Sequence, residues 1–188
     1  KMTGKVVITF SVTDKMKKLA ELYGLECEVT KIGFKYIAEI MTHEDVLVGG
    51  EESGGLAVKG HIPERDGVWM GILIMEFMAV TGKSIKQLIA EVYEKVGSFS
   101  FERDDHHITN AIKDEVMRKC KEGEVKMIGS RPVVRTETID GYKFYLNDDE
   151  WIMVRASGTE PVLRIYAQTP STAQSRTLLD EAAKSLMG

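Results

Sequence analysis

Apolar and polar positions alternate along the chain on two different rhythms. Val6 to Phe10, apolar except for Thr9, has the length of a fully buried strand, and Thr13-Asp14 opens a helix carrying Met16, Leu19, Ala20 and Tyr23. Gly24 stops that helix, and Glu26 to Thr30 alternates as a second strand. Phe34, Ile37 and Met41 recur at helical spacing, and Val46-Leu47-Val48 is a third short strand. Asp66-Gly67 starts a long apolar helix that ends near Gly82, and Ser84 with Gln87 forms a capping box for the next helix. Short strands separated by helices predict an α/β three-layer domain with a mainly parallel sheet. Met70, Met75 and Met78 fall on the apolar helix and are expected to fill its buried core contacts.

Beyond about residue 100 the rhythm changes. Ile108, Ile112, Val116 and Cys120 share one helical face. Strand character follows at Val133–Ile139, Tyr142–Leu146, Trp151–Arg155 and Val162–Ala167, with a hairpin signal at Asp140-Gly141 and a turn at Asn147-Asp148-Asp149. A last helix runs from Ser171 or Thr172 to Met187. Hairpins flanked by helices predict a smaller α+β domain with an antiparallel sheet. The expected division is 1–100 and 101–188, with Gly97 to His107 as a linker in which Phe99-Ser100-Phe101 has some strand character.

Composition narrows the function. A net charge of −4 and the lack of a long basic run exclude the electrostatic footprint of a nucleic-acid binder. The longest apolar stretch, Val68 to Met75, is interrupted by Glu76 and is too short to span a membrane. No secretory signal pattern opens the sequence, and Cys27 and Cys120 stand alone without metal spacing; free thiols in a cytoplasmic protein are expected. His106-His107 has no carboxylate pair at ligand spacing, so no metal site is expected there.

Two loops carry the candidate chemistry. Arg155-Ala156-Ser157-Gly158-Thr159-Glu160-Pro161 lies between the last two strands, which places it at one edge of the antiparallel sheet, and Arg164 follows just inside the second. Turn amides, two hydroxyls and a guanidinium suit a phosphate, with Gly158 supplying special backbone angles or close approach. The plainer alternative is a hairpin turn in which Arg155 pairs with Glu160. The second loop, Gly49-Gly50-Glu51-Glu52-Ser53-Gly54-Gly55, leaves the end of a strand, where α/β sheets usually hold ligands. Its carboxylates and hydroxyl suit sugar hydroxyls; the plainer alternative is a solvated glycine-rich turn.

Together the loops closely resemble motifs of the α-D-phosphohexomutase superfamily, which includes phosphoglucomutases, phosphomannomutases and phosphoglucosamine mutases. Gly50 to Gly54 is similar to the sugar loop of that family's third domain, and Arg155 to Pro161 to the phosphate loop of its fourth. Gly33 to Ile37 and His61 to Gly67 resemble the segments that flank the sugar loop. The family's phosphoserine motif and its magnesium-holding Asp-Gly-Asp motif are not found, so the resemblance implies a C-terminal half, domains three and four, with no catalytic residue of its own.

What the resemblance implies is specific. The whole enzyme would interconvert hexose 1-phosphate and hexose 6-phosphate, of glucose or mannose, through a phosphoserine and a bisphosphate intermediate. It would require Mg2+, with ligands outside this chain, and glucose 1,6-bisphosphate as activator and intermediate. Its partners would be the hexose phosphate and the N-terminal domains of the same protein. Glu51 and Ser53 would hold sugar hydroxyls; Arg155, Ser157, Gly158 and Thr159 would hold the non-reacting phosphate, with Glu52 turned away. Lys35, His61, Arg65 and Arg164 form a second tier. Arg65 has the alternative of pairing with Glu64 or Asp66, Arg164 of lying along its strand, and Lys35 of being a solvated helix residue. Glu52, Gly55 and Ala156 depart from the glucosamine branch and favour glucose or mannose. The half alone is expected to be inactive; the alternative is a non-catalytic sugar-phosphate-binding or regulatory module.

Overall fold

The computed structural model describes residues 2–158 and 160–188. The chain forms two compact units that divide between Gly97 and Ser98.

In the first unit, β1 (Lys5–Thr9), β2 (Cys27–Thr30), β3 (Val46–Gly50) and β4 (Leu56–Val58) form a sheet in the order β2-β1-β3-β4. β1 runs parallel to both neighbours, and β4 returns antiparallel to β3. Because strand side chains alternate, Val7 packs with Phe34 and Ile37 of α2 (Phe34–His43), whereas Val6 and Ile8 pack with Ala20 of α1 (Lys15–Leu22). This double burial explains why Val6, Val7 and Ile8 follow one another as an apolar run within β1. α3 (Gly67–Thr81) starts at Asp66, whose side chain accepts from the Trp69 N–H, and stops at Gly82 in the left-handed conformation. α4 (Ile85–Val96) opens with the expected Ser84–Gln87 capping box.

The expectation that α3 is a buried core helix is overturned. Met70 is buried, but Met75 is 70% and Phe77 55% exposed, and Met78 is only partly covered. An apolar composition shows that a helix is suited to burial on every side; it does not supply the elements that bury it.

In the second unit, β5 (Ser100–His107), α5 (Asn110–Lys121), β6 (Met127–Ile128), β7 (Arg131–Pro132), β8 (Arg135–Glu137), β9 (Tyr142–Tyr145), β10 (Trp151–Ala156), β11 (Val162–Thr169) and α6 (Thr172–Met187) follow in order. The five-stranded sheet is antiparallel with order β5-β11-β10-β9-β8. Ile152, Val154, Leu163, Ile165 and Ala167 on one face pack against Leu178, Leu179, Ala182 and Leu186 of α6 and Val116 and Cys120 of α5. On the other face Trp151, Met153 and Tyr166 are buried, and the Lys143 ammonium sits 4.2 Å from the Trp151 ring centroid. Both cysteines are free, and burial pushes the Cys120 thiol up to about 12, which leaves it protonated and inert.

Three local expectations are corrected. The 97–107 segment is not a linker: β5 pairs with β11 from Ser100 to His107. Its charges fall on both faces of an edge strand: Arg103 and Asp105 are exposed, while Glu102 and Asp104 are both bonded to Arg176 of α6. The Val133–Ile139 strand is shortened to β8, and Arg131-Pro132 before it belong to the separate β6–β7 hairpin. The β10–β11 loop joins two interior strands and does not lie at an edge.

Gly49 lies where α2 crosses β3, and a Cβ there would overlap Ile37 Cγ2. Gly49→Ala is predicted to cost about 1–3 kcal/mol of unfolding free energy, measured by urea denaturation. Gly71→Ala, on open α3 surface with nothing within 4 Å, is predicted to stabilise by about 0.5–1 kcal/mol.

Candidate functional site

Each unit presents one of the two loops, the first between interior β3 and edge strand β4 and the second between interior β10 and β11. In the first unit, β3 carries the chain to Gly50, and β4 takes it back from Leu56. The intervening loop is closed by Glu51 N–H to Gly55 O at 3.0 Å and Gly54 N–H to Glu51 O at 3.1 Å, with Gly54 at φ 89°. The loop thus hangs from the carboxyl end of a strand parallel to β1.

The two glutamates diverge. Glu52 accepts a 2.5 Å hydrogen bond from the hydroxyl of Ser11, a buried residue just past the end of β1. The Glu51 side chain is only 8% exposed, lies 3.3 Å from Arg65 Nη1, and accepts from the Gly33 N–H at the start of α2. Burial raises the Glu51 carboxyl above its ordinary value, and Arg65 and Gly33 offset part of that rise. The Arg65 stem lies across Gly55, which has no side chain to obstruct it, and its guanidinium sits over the Phe34 ring. Arg65 also bonds Glu64, so one of its expected alternatives holds alongside the Glu51 contact.

The other residues of this loop region are less gathered. Ser53 is exposed at the loop tip, and Lys35 is exposed with its ammonium 4.9 Å from the Tyr36 ring. His61 is engaged elsewhere: its Nε2 lies 2.9 Å from Asp66 Oδ2 and its ring stacks on Trp69. The Trp69 N–H and His61 hold the Asp66 carboxyl below its ordinary value. Ser11 and the Gly33 N–H were not foreseen. Ser11 had a readable signal, a hydroxyl at the carboxyl end of a parallel strand.

In the second unit, the β10–β11 hairpin is closed by Ser157 N–H to Val162 O at 2.9 Å, and the Glu160 N–H donates to Ser157 Oγ at 3.3 Å. That leaves the buried Ser157 hydroxyl with its own proton to donate. Lys113 of α5 reaches the Glu160 carbonyl at 3.4 Å. Thr159 lies outside the described residues. Arg155 and Arg164 are direct cross-strand partners, two like charges where the sheet would favour opposite ones. Asp140 stands 3.4 Å from Arg155 Nε and Asp105 3.7 Å from Arg164 Nε. Arg155 therefore pairs with Asp140 and not with Glu160. The Arg164 Nε is buried with no hydrogen-bond partner among the described residues, an unfilled donor beside the loop.

Gly158 corrects its expectation. It has neither a positive φ nor a neighbour within 4 Å of a would-be Cβ, so the fold itself does not require glycine there. Among the described residues no three His, Cys, Asp or Glu side chains are grouped to hold a metal.

The Glu51 carboxyl carbon, followed by NMR, is predicted to titrate above an exposed glutamate, and higher still in Arg65→Ala, which removes an offsetting charge. A raised folded value means that folding favours the protonated form. That contribution is present at low pH and is lost as pH rises from the unfolded to the folded value. Glu51→Gln should therefore raise stability at pH 7 relative to wild type, with the gain shrinking towards pH 4. A Glu51 titration matching that of an exposed side chain would contradict this.

Comparison with known proteins places these loops in a family. The chain is 31% identical over 183 residues to a phosphoglucomutase/phosphomannomutase of Thermococcus kodakarensis, covering 97% of this chain and 38% of that one. It is 28% identical to a phosphoglucosamine/phosphogalactosamine mutase of Sulfurisphaera tokodaii, covering 98% and 38%. A solved Thermus thermophilus structure bearing a provisional phosphomannomutase name matches with TM-score 0.80 and 32% identity, covering 99% and 37%. The chain thus spans little more than a third of the length of each of these relatives. Residues 1–96 match the family described as phosphoglucomutase/phosphomannomutase, alpha/beta/alpha domain III, and residues 115–185 match the phosphoglucomutase/phosphomannomutase C-terminal domain. With both domains matched in order, the chain belongs to the phosphoglucomutase/phosphomannomutase family as a C-terminal part.

Proposed function

We propose that this chain is the sugar-phosphate-holding half of a phosphohexomutase that interconverts the 1- and 6-phosphates of glucose or mannose. The observation that carries the reading is the Arg155–Arg164 cross-strand pair beside the Ser157 loop. The two arginines stand in register on one face of adjacent strands, and the Arg164 Nε is buried with no hydrogen-bond partner among the described residues. A phosphate dianion there would relieve the repulsion and fill the donor with charge-assisted hydrogen bonds. Ser157 would add its hydroxyl, and the open space at Gly158 would leave the loop backbone accessible.

In this reading Glu51, oriented by Arg65 and Gly33, accepts from vicinal hydroxyls of the sugar, and Ser53 donates at the loop tip. Glu52 is a structural tie to Ser11. Preceding domains of the intact protein would supply the phosphoserine and the ligands of a Mg2+ ion, whose charge would offset that of the phosphoryl group. That group passes to the free hydroxyl of the hexose phosphate, giving the 1,6-bisphosphate. The other phosphoryl group then returns to the serine, and the two ends of the sugar exchange places between the steps. A remote anchor suits this cycle because it grips whichever phosphate is not reacting, and its binding energy orients the reacting end. The isolated half has the anchor without the donor and should not turn over substrate. Relatives of similar identity include glucosamine enzymes, so the glucose or mannose preference rests on Glu52, Gly55 and Ala156. A phosphorylated sugar substrate suits a cytoplasmic setting.

Titration calorimetry with glucose 1,6-bisphosphate tests the anchor. Arg155→Ala and Arg164→Ala are each predicted to weaken binding by at least about tenfold, since hydrogen bonds to charged groups contribute about 1.5–3 kcal/mol. Wild-type affinity in both variants would remove the phosphate reading.

A further inference from the structure

Helix α3, Gly67–Thr81, carries a single charged residue, Glu76, and is apolar around its whole circumference. Such a helix is normally enclosed on all sides. Here only Met70 is buried, while Val68 is 77%, Ile72 52%, Met75 70%, Phe77 55% and Val80 80% exposed. α4 continues the surface with exposed Ile85 and Ile89. Apolar exposure of this extent on a folded unit marks an interaction site.

The occupant follows from two observations. More than half of each relative's length lies outside the match, and the matched domains are the third and the last. The place where a preceding segment would enter is also fixed: Lys59, just past β4, donates to the Thr3 carbonyl at 3.0 Å, holding the start of the described chain beside the strand on which α3 packs. We propose that α3 and the adjoining face of α4 are the seat of the polypeptide that precedes this chain in the intact protein, contributed as aliphatic and aromatic side chains. This rests on reading the chain as part of a longer mutase, and not on the ligand roles of either loop. With one carboxylate and no basic residue in α3, the seat selects an apolar occupant over a charged one. Among the described residues no single helix is long and apolar enough to cross a membrane, and the α3–α4 pair is bent by 84°.

The test compares the 188-residue chain with the protein translated from its full reading frame, by hydrogen exchange resolved to α3 and α4. The expected result is exchange at least about a hundredfold slower over both helices in the full-length protein. Met75→Glu with Phe77→Glu should abolish that slowing, yet leave the unfolding midpoint of the 188-residue chain unchanged, because both positions are already exposed there. Equal exchange in the two proteins would overturn the proposal. So would protection of α3 in the short chain through self-association, or its binding to phosphatidylglycerol vesicles. Glucose 1-phosphate turnover by the full-length protein separates the two readings. Activity with unprotected α3 sinks the seat alone, and protection without activity sinks the mutase reading alone.

Discussion

The antiparallel ladder between Trp151–Ala156 and Val162–Thr169 is the constraint on which the second unit depends. Its alternation sends Ile152, Val154, Leu163 and Ile165 into the core under α6 and leaves Arg155 and Arg164 on the opposite face. A slip of one residue would exchange those faces and bury the arginines among leucines, so core burial and arginine pairing are fixed by one register. The like-charge juxtaposition is tolerated because Asp140 and Asp105 flank it. Neither aspartate is within hydrogen-bond distance of the Arg164 Nε, and the proposed phosphate would fill that donor.

The first unit solves a related problem with glycine and burial. β1 is enclosed on both faces, β3 lies against α2 so closely that Gly49 must lack a side chain, and the loop leaves from that rigid edge. Adjacent glutamates would repel if they shared a direction; Ser11 draws one away and Arg65 faces the other. The less exposed Glu51 is left with a raised carboxyl, the kind of perturbation that accumulates where a protein prepares to receive a ligand.

Much of this was legible in the residues. The Ser84–Gln87 capping box, the Asp66 start of α3 and the Asp140-Gly141 hairpin are local signals, and local backbone chemistry sufficed to place them. The two loops were legible because both follow apolar strands and concentrate polar groups on glycine. What failed depended on distant sequence. β5 looked like a linker because the partner that makes it a strand, β11, lies some sixty residues on. The exposure of α3 was invisible because composition reports what a helix suits and not what surrounds it. Asp105 and Lys113 reach the β10–β11 hairpin from β5 and α5, and no spacing rule connects them to it. Gly158 looked like a backbone requirement, whereas its only visible property is open space.

The Arg155–Arg164 pair is proposed to hold a phosphate. The most direct measurement follows the arginine Nε–H signals of both residues by proton–nitrogen NMR while glucose 1,6-bisphosphate is added. If the account holds, both signals move together and saturate, and the Arg164 Nε–H slows in exchange with water as its empty donor is filled. If both stay in place while the sugar bisphosphate shifts signals elsewhere, the pair is a structural feature of the sheet and the account is wrong.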